Sequence, residues 1–218
     1  VSNYTKLSFV ENESALNDQN FTISSSSKVG ATVADDIKNS AWKASLFSLI
    51  GIFIYILIRF RKWQYSAGAI IATAHDTLFV FAAFAIARVC GLSFEVDQVF
   101  VAAILTIIGY SINDTVIIFD RIREYFAMGT SHDKAKIVND SVNHTVSRTI
   151  ITAGTTLLTV IVLLFFGGEV MRGFAFALFV GIVVGTYSSV FIAAPTVLDL
   201  DKDDIKPVAD TKKKPATA

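Results

Sequence analysis

Five apolar runs divide the chain, at about Ala44 to Ile58, Ala67 to Ala87, Val99 to Phe119, Ile150 to Phe166 and Phe174 to Val197. Each is near the roughly 17 to 25 residues that a tilted helix needs to cross a ~30 Å hydrocarbon core, provided the shorter ones borrow flanking residues such as Trp42 and Phe60. The pattern predicts an all-α polytopic membrane protein with spans at about 44–60, 66–88, 97–119, 149–167 and 172–197. An odd number of spans puts the two termini on opposite sides.

The polar segments between the runs give the orientation. The first connection carries Arg59, Arg61 and Lys62; the third carries Arg121, Arg123, Lys134, Lys136 and Arg148; the tail carries Lys202, Lys206 and Lys212 to Lys214. Basic residues mark cytoplasmic loops, so these three regions are expected inside. The second connection (CGLSFEVD) and the fourth (GGEVMRG) are poor in Lys and Arg. They are expected outside with the N-terminal segment, which leaves the C-terminus cytoplasmic.

Residues 1–40 read as the C-terminal remnant of an α+β extracytoplasmic domain. FTISS, Phe21 to Ser25, has strand character, and Ser27 or Thr32 is a cap candidate for a helix leading into the first span. Between the third and fourth spans, SHDKAKIVNDSVNHTVSR predicts a short amphipathic helix over about 131–147. Ser131 is its N-cap candidate, and Ala135, Val138, Val142 and Val146 form its apolar face. Residues 199–218, rich in Asp, Lys and Pro, are expected to be disordered.

Composition excludes several classes. Of the 218 residues, 53% are hydrophobic and 18 are Phe, too apolar for a soluble domain of this size. Nineteen basic residues balance nineteen acidic ones, so the chain lacks the basic field of a nucleic-acid binder. The single cysteine, Cys90, rules out an intrachain disulfide and a Cys-based metal cluster. There is no H-E-x-x-H, P-loop lysine or G-x-S-x-G, and no metal site, cofactor or enzymatic activity is expected.

The chemistry lies in the polar residues within the apolar runs. A charge in hydrocarbon costs at least ~2.5 to 3.5 kcal/mol, so an ionisable residue there marks a functional site. Asp114 lies about five residues beyond the middle of its run, roughly 7 to 8 Å toward the cytoplasm, and its side chain is too short to reach the headgroups. In the fourth span Arg148, Thr152, Thr155 and Thr159 share one helical stripe, which makes Arg148 a plausible partner for Asp114. His75 and Asp76, in TAHDTLF of the second span, are a further pair able to pass protons near neutral pH, and a hydrogen-bonded structural role for His75 stands beside that reading. In the last span Ala177, Gly181, Gly185 and Ser189 recur every four residues, a pattern for close helix packing with no chemistry of its own.

Four motifs carry a resemblance to a known family: AHD at Ala74 to Asp76, GYSINDTVIIFDRIRE at Gly109 to Glu124, SRTIITAGTTLL at Ser147 to Leu158, and FGGEVMRGFAFALFVGIVVGTYSS at Phe166 to Ser189. With them, most of the chain from about Ala41 to Ala194 resembles the SecF family of bacterial protein export, including the SecF half of fused SecDF proteins. The resemblance implies an RND-like bundle of six helices with a periplasmic domain between the first and second. The five spans here would be the second to sixth. It also implies a bacterial inner-membrane location, use of the proton-motive force to assist preprotein translocation, and partnership with SecD, the SecYEG channel, YajC and YidC. The preprotein would be met on the periplasmic side, and nucleic acid is not a partner. The family's proton relay falls here on Asp114, Arg148 and Thr152; the coupling ion is H⁺ or Na⁺.

On this reading, protonation of Asp114 makes or breaks its pairing with Arg148 and shifts the helix packing. Arg148 favours the ionised carboxylate and desolvation the neutral one, so their competition would let a proton gradient decide its state. Three rivals stand beside it: an RND-type exporter of small molecules or lipids, a scaffold in which the charges only fix helix register, and an intramembrane aspartyl protease built on Asp76 and Asp114.

Overall fold

A computed structural model describes residues 8–9, 20–21, 31–92, 94, 97–129 and 133–201. The chain divides into two compact units, Val1–Ser40 and Ala41–Ala218. In the first, β1 (Ser8–Phe9) and β2 (Asn20–Phe21) pair in parallel, with Ser8 opposite Asn20 and Phe9 opposite Phe21. Of the strand expected at Phe21 to Ser25, only Phe21 lies within the described residues. Helix α1 (Ala31–Phe60) starts in this unit and ends in the second. Thr32 is therefore already helical rather than a cap, and Ser27 falls outside the described residues.

In the second unit α1 is followed by α2 (Trp63–Val89), α3 (Gln98–Met128), α4 (Lys134–Phe166) and α5 (Gly168–Ser188). A five-residue π-helical turn (Ser189–Ala193) and α6 (Ala194–Leu200) prolong α5. Among the described residues, five helices are long and apolar enough to cross a membrane: Asn39–Phe60, Trp63–Val89, Gln98–Met128, Lys134–Phe166 and Met171–Leu200. The chain is a membrane protein.

Local chemistry sets the boundaries. The Asp97 carboxylate accepts from the Phe100 amide at 2.9 Å and starts α3; Gly129, at φ 62°, ends it in the left-handed conformation that glycine adopts without strain. Asp133 caps α4 by accepting from the Ala135 amide at 2.9 Å; Ser131, the expected cap, lies outside the described residues. The amphipathic segment expected over 131–147 is no separate element. From Lys134 onward it runs unbroken into the span, because no Pro or Gly interrupts VNHTVSRTI, and the two make one helix about 50 Å long. In the last span Pro195 stands just after the π turn. A proline has no N–H for the preceding turn and its ring crowds that turn's carbonyl, which accounts for the wider winding. Residues beyond Asp201 lie outside the described residues.

Three apolar clusters fill the bundle, a small one of Ala153, Val160 and Ile182 between α4 and α5 and two larger ones toward its ends. Ile56, Phe60, Tyr65, Phe119, Ile122, Val138 and Val197 pack at the end where the basic connections lie, called here the basic end. The Phe60, Tyr65 and Phe119 rings meet there with centroids 5.0 to 5.9 Å apart. Val80, Phe84, Phe100, Ile104 and Ile107 pack at the other end. Between the larger clusters α2, α3 and the junction of α5 with the π turn place buried polar side chains: Thr73 and Asp76, Ser111, Asp114 and Thr115, and Ser188 and Ser189.

Candidate functional site

The polar layer depends on close helix approach. A Cβ on Gly181 would lie 2.5 Å from Ile107, and one on Gly185 would lie 3.1 Å from the Ser111 Cβ and 3.5 Å from Asp76 Oδ2. Ser189 continues the series, with its Oγ 3.0 Å from Thr115 Oγ1. The every-fourth stripe Gly181, Gly185, Ser189 of α5 thus lies against Ile107, Ser111, Thr115 of α3, ridge into groove. Here packing and chemistry coincide, because Gly185 leaves the space in which Ser111 reaches Asp76.

Asp76 is 1% exposed. Its Oδ2 accepts from Ser111 Oγ at 2.6 Å, and its Oδ1 is 3.3 Å from Nδ1 of His75. The His75 ring, part-exposed, packs on Phe79 with centroids 4.6 Å apart. The Ser189 hydroxyl donates to the Gly185 carbonyl at 2.8 Å, so Thr115 is the donor in the Thr115–Ser189 contact. Asp76, Ser111, Thr115 and Ser189 are thereby satisfied.

Asp114 differs. It is 3% exposed, and its buried Oδ2 has no hydrogen-bond partner among the described residues. Arg148 is near enough for its charge to act on Asp114. No ion pair joins them among the described residues: the Arg148 side chain is exposed and lines a cleft of about 370 Å³ between α3 and α4 at the basic end. Arg121, Glu124 and His144 line the same cleft. Arg121 is held by Glu124 at 2.7 Å, and Asp120 by Arg59 at 2.8 Å, so neither acid is committed to Arg148.

The threonine stripe of α4 is also exposed. Thr152 donates to the carbonyls of Arg148 and Thr149, both at 3.0 Å; Thr155 and Thr159 likewise bond carbonyls of their own helix. The arrangement therefore brings His75, Asp76 and Ser111 together, leaves Asp114 one helical turn away on α3, and turns Arg148 and Thr152 to the outside of the chain. Among the described residues no group of three His, Cys, Asp or Glu side chains could hold a metal ion.

Comparison with known proteins settles the ancestry. The family described as "Protein export membrane protein SecD/SecF, C-terminal" matches residues 9–203. The chain belongs to the SecD/SecF family. It is 53% identical over 173 residues to Protein translocase subunit SecF of Rhodothermus marinus, a match that covers 79% of this chain and 56% of that one. With the SecF subunit of Vibrio alginolyticus the identity is 45% over 172 residues, 79% and 53% of the two chains. The chain thus spans about half the length of these SecF relatives. The crystal structure of SecDF, a translocon-associated membrane protein from Thermus thermophilus, superposes with a TM-score of 0.69 at 42% identity, covering 78% of this chain and 23% of that one.

Two residues of this SecD/SecF chain escape a reading of its sequence. Ser111 precedes Asp114 by three positions and so shares its face, a signal present in GYSIND. Thr149 is masked by the neighbouring stripe, because Arg148, Thr152, Thr155 and Thr159 look like the polar face directed inward. The buried face of α4 instead follows Ile137, Ser141, Thr145, Thr149 and Ala153.

Proposed function

We propose that the chain is the membrane part of a SecF-type translocase subunit in the bacterial inner membrane, which uses the proton-motive force to assist preprotein export. The basic end faces the cytoplasm and the N-terminal unit lies outside. Asp114 is the coupling group, with Arg148 and Thr152 as the further members of its relay and His75 with Asp76 as a second proton-handling pair. The observation that carries this reading is a carboxylate buried within a membrane-spanning helix with one oxygen unpartnered. Such a group gains a great deal from a proton or a cationic partner, and so responds to whichever is supplied.

The exposed polar stripe of α4 supports a partner. Arg148, Thr152, Thr155 and Thr159 are out of place against lipid and well placed against another helix bundle, which we assign to SecD, within an assembly around SecYEG that includes YajC and YidC. The coupling ion is H⁺, with Na⁺ the alternative for the same carboxylate. Each proton that crosses a 100 mV potential supplies about 2.3 kcal/mol, enough to shift a two-state packing equilibrium roughly fiftyfold.

Depletion of the full-length protein from its host tests the function class. Accumulation of uncleaved secretory precursors is expected. Normal precursor processing together with sensitivity to small toxic compounds or altered envelope lipids would instead favour an exporter.

A further inference from the structure

Six threonines lie on α4 between residues 145 and 159, and five of them satisfy their hydroxyls along the helix: Thr145, Thr152, Thr155, Thr156 and Thr159 each donate to a carbonyl three or four residues back. This is the ordinary behaviour of threonine in a membrane helix. Thr149 is the exception. It is 1% exposed, and its Oγ1 has no hydrogen-bond partner among the described residues. A buried hydroxyl left unbonded is costly, and here the usual partner, a carbonyl of the preceding turn, goes unused.

On the facing helix α3, Asp114 Oδ2 is likewise buried without a hydrogen-bond partner among the described residues. Tyr110 OH reaches Thr156 Oγ1 at 3.4 Å, and Ser141 Oγ reaches the Arg121 carbonyl at 3.4 Å. These two contacts bracket Asp114 and place it level with the turn of α4 that carries Thr149 and Thr152. Of those two threonines, Thr152 is outside and doubly bonded to its own backbone, whereas Thr149 is inside and free to donate.

We propose that Thr149 is a positioning residue for the coupling carboxylate: its hydroxyl donates to Asp114 when Asp114 is ionised and releases it when Asp114 takes up a proton. The inference rests on the reading of Asp114 as the coupling group. An ionised carboxylate accepts strongly from a neutral hydroxyl, and the protonated acid does not need that donor. The contact therefore couples the protonation state to the α3–α4 seam, next to the cleft into which Arg148 opens. The other charged and titratable groups on the elements packed around this layer are Arg148 from α4 and Asp76 with His75 from α2; the last span contributes the buried hydroxyls of Ser188 and Ser189, the Thr186 hydroxyl, bonded to the Ile182 carbonyl, and the exposed Tyr187 phenol.

The test uses full-length protein in its assembled membrane complex. A protonated carboxyl adds across a C=N bond of a hydrophobic carbodiimide, its proton going to nitrogen and its oxygen to the central carbon, and the O-acylisourea rearranges to a stable N-acylurea; mass spectrometry reads this adduct at Asp114 as a function of pH, with Asp114→Asn as the blank. At a pH well above the wild-type midpoint, Thr149→Val is expected to be modified about tenfold faster, because the ionised form has lost a donor. Thr149→Ser keeps the hydroxyl and is expected to behave as wild type. Thr145→Val removes a hydroxyl that is also buried but back-bonded and is expected to leave modification unchanged. A wild-type rate in Thr149→Val overturns the proposal and leaves the Asp114 reading in place; modification of Asp114 that ignores pH overturns both. Were Thr149→Val poorly assembled, accelerated modification in Thr149→Ser would overturn the proposal by itself.

Discussion

Ser111 gives its only proton to Asp76 at 2.6 Å in a site closed to water, so its loss is predicted to be felt as stability. Ser111→Ala removes the donor and leaves the carboxylate oxygen beside a methyl group. A cost of about 1 to 3 kcal/mol is expected, read as a lower Tm of the detergent-purified full-length protein. Ser111→Thr restores the hydroxyl, but its extra methyl group must fit against the close approach at Gly185. At this scale the sequence was legible in part. Asp114, Asp76, His75 and Arg148 stand out because charge is rare in apolar runs, whereas Ser111 and Thr149 are residues any membrane helix tolerates. Only their missing or unusually short hydrogen bonds distinguish them, and those depend on neighbours from other helices. The same limit applies to Arg148. Its helical stripe is readable, but whether that stripe faces inward is set by which side of α4 packs best, and Ser141, Thr145, Thr149 and Ala153 win that side.

The α3–α5 pair packs closely, with no room for a side chain at Gly181. Because a Cβ at Gly181 falls 2.5 Å from Ile107, Gly181→Ala is predicted to push the two helices apart and to cost about 1 to 3 kcal/mol. Combining it with Ile107→Ala, which frees the volume, is expected to recover part of the Tm; two independent, additive losses would show that the contact is not shared. The small-residue stripe was visible as a four-residue repeat, and so were the five spans, since both follow from composition and periodicity alone. The fusion of the amphipathic segment with the fourth span was not visible. Its apolar face reads the same whether the helix lies flat or continues, and continuation is decided by the absence of a breaker between Lys134 and Ile150. The π turn likewise depends on how the helix accommodates Pro195, which a run of apolar residues does not reveal.

Across the helix bundle, apolar clusters at the two ends enclose one polar layer, and among the described residues the carboxylate in that layer with a buried, unpartnered oxygen is Asp114, through Oδ2. A layer of this kind, placed between well-packed ends, can change its hydrogen bonding while the clusters move as units, which is how a local protonation becomes a motion of whole helices. Asp114→Asn tests this most directly. The variant keeps size and hydrogen-bonding capacity but removes the titration. Export of a secreted preprotein is measured with and without a proton gradient, in full-length protein of normal abundance that still co-purifies with the SecD proposed as its partner. The account predicts that gradient-dependent stimulation is lost while export without a gradient is unchanged. Undiminished stimulation in an intact complex would contradict it and leave Asp114 as a residue that fixes helix register.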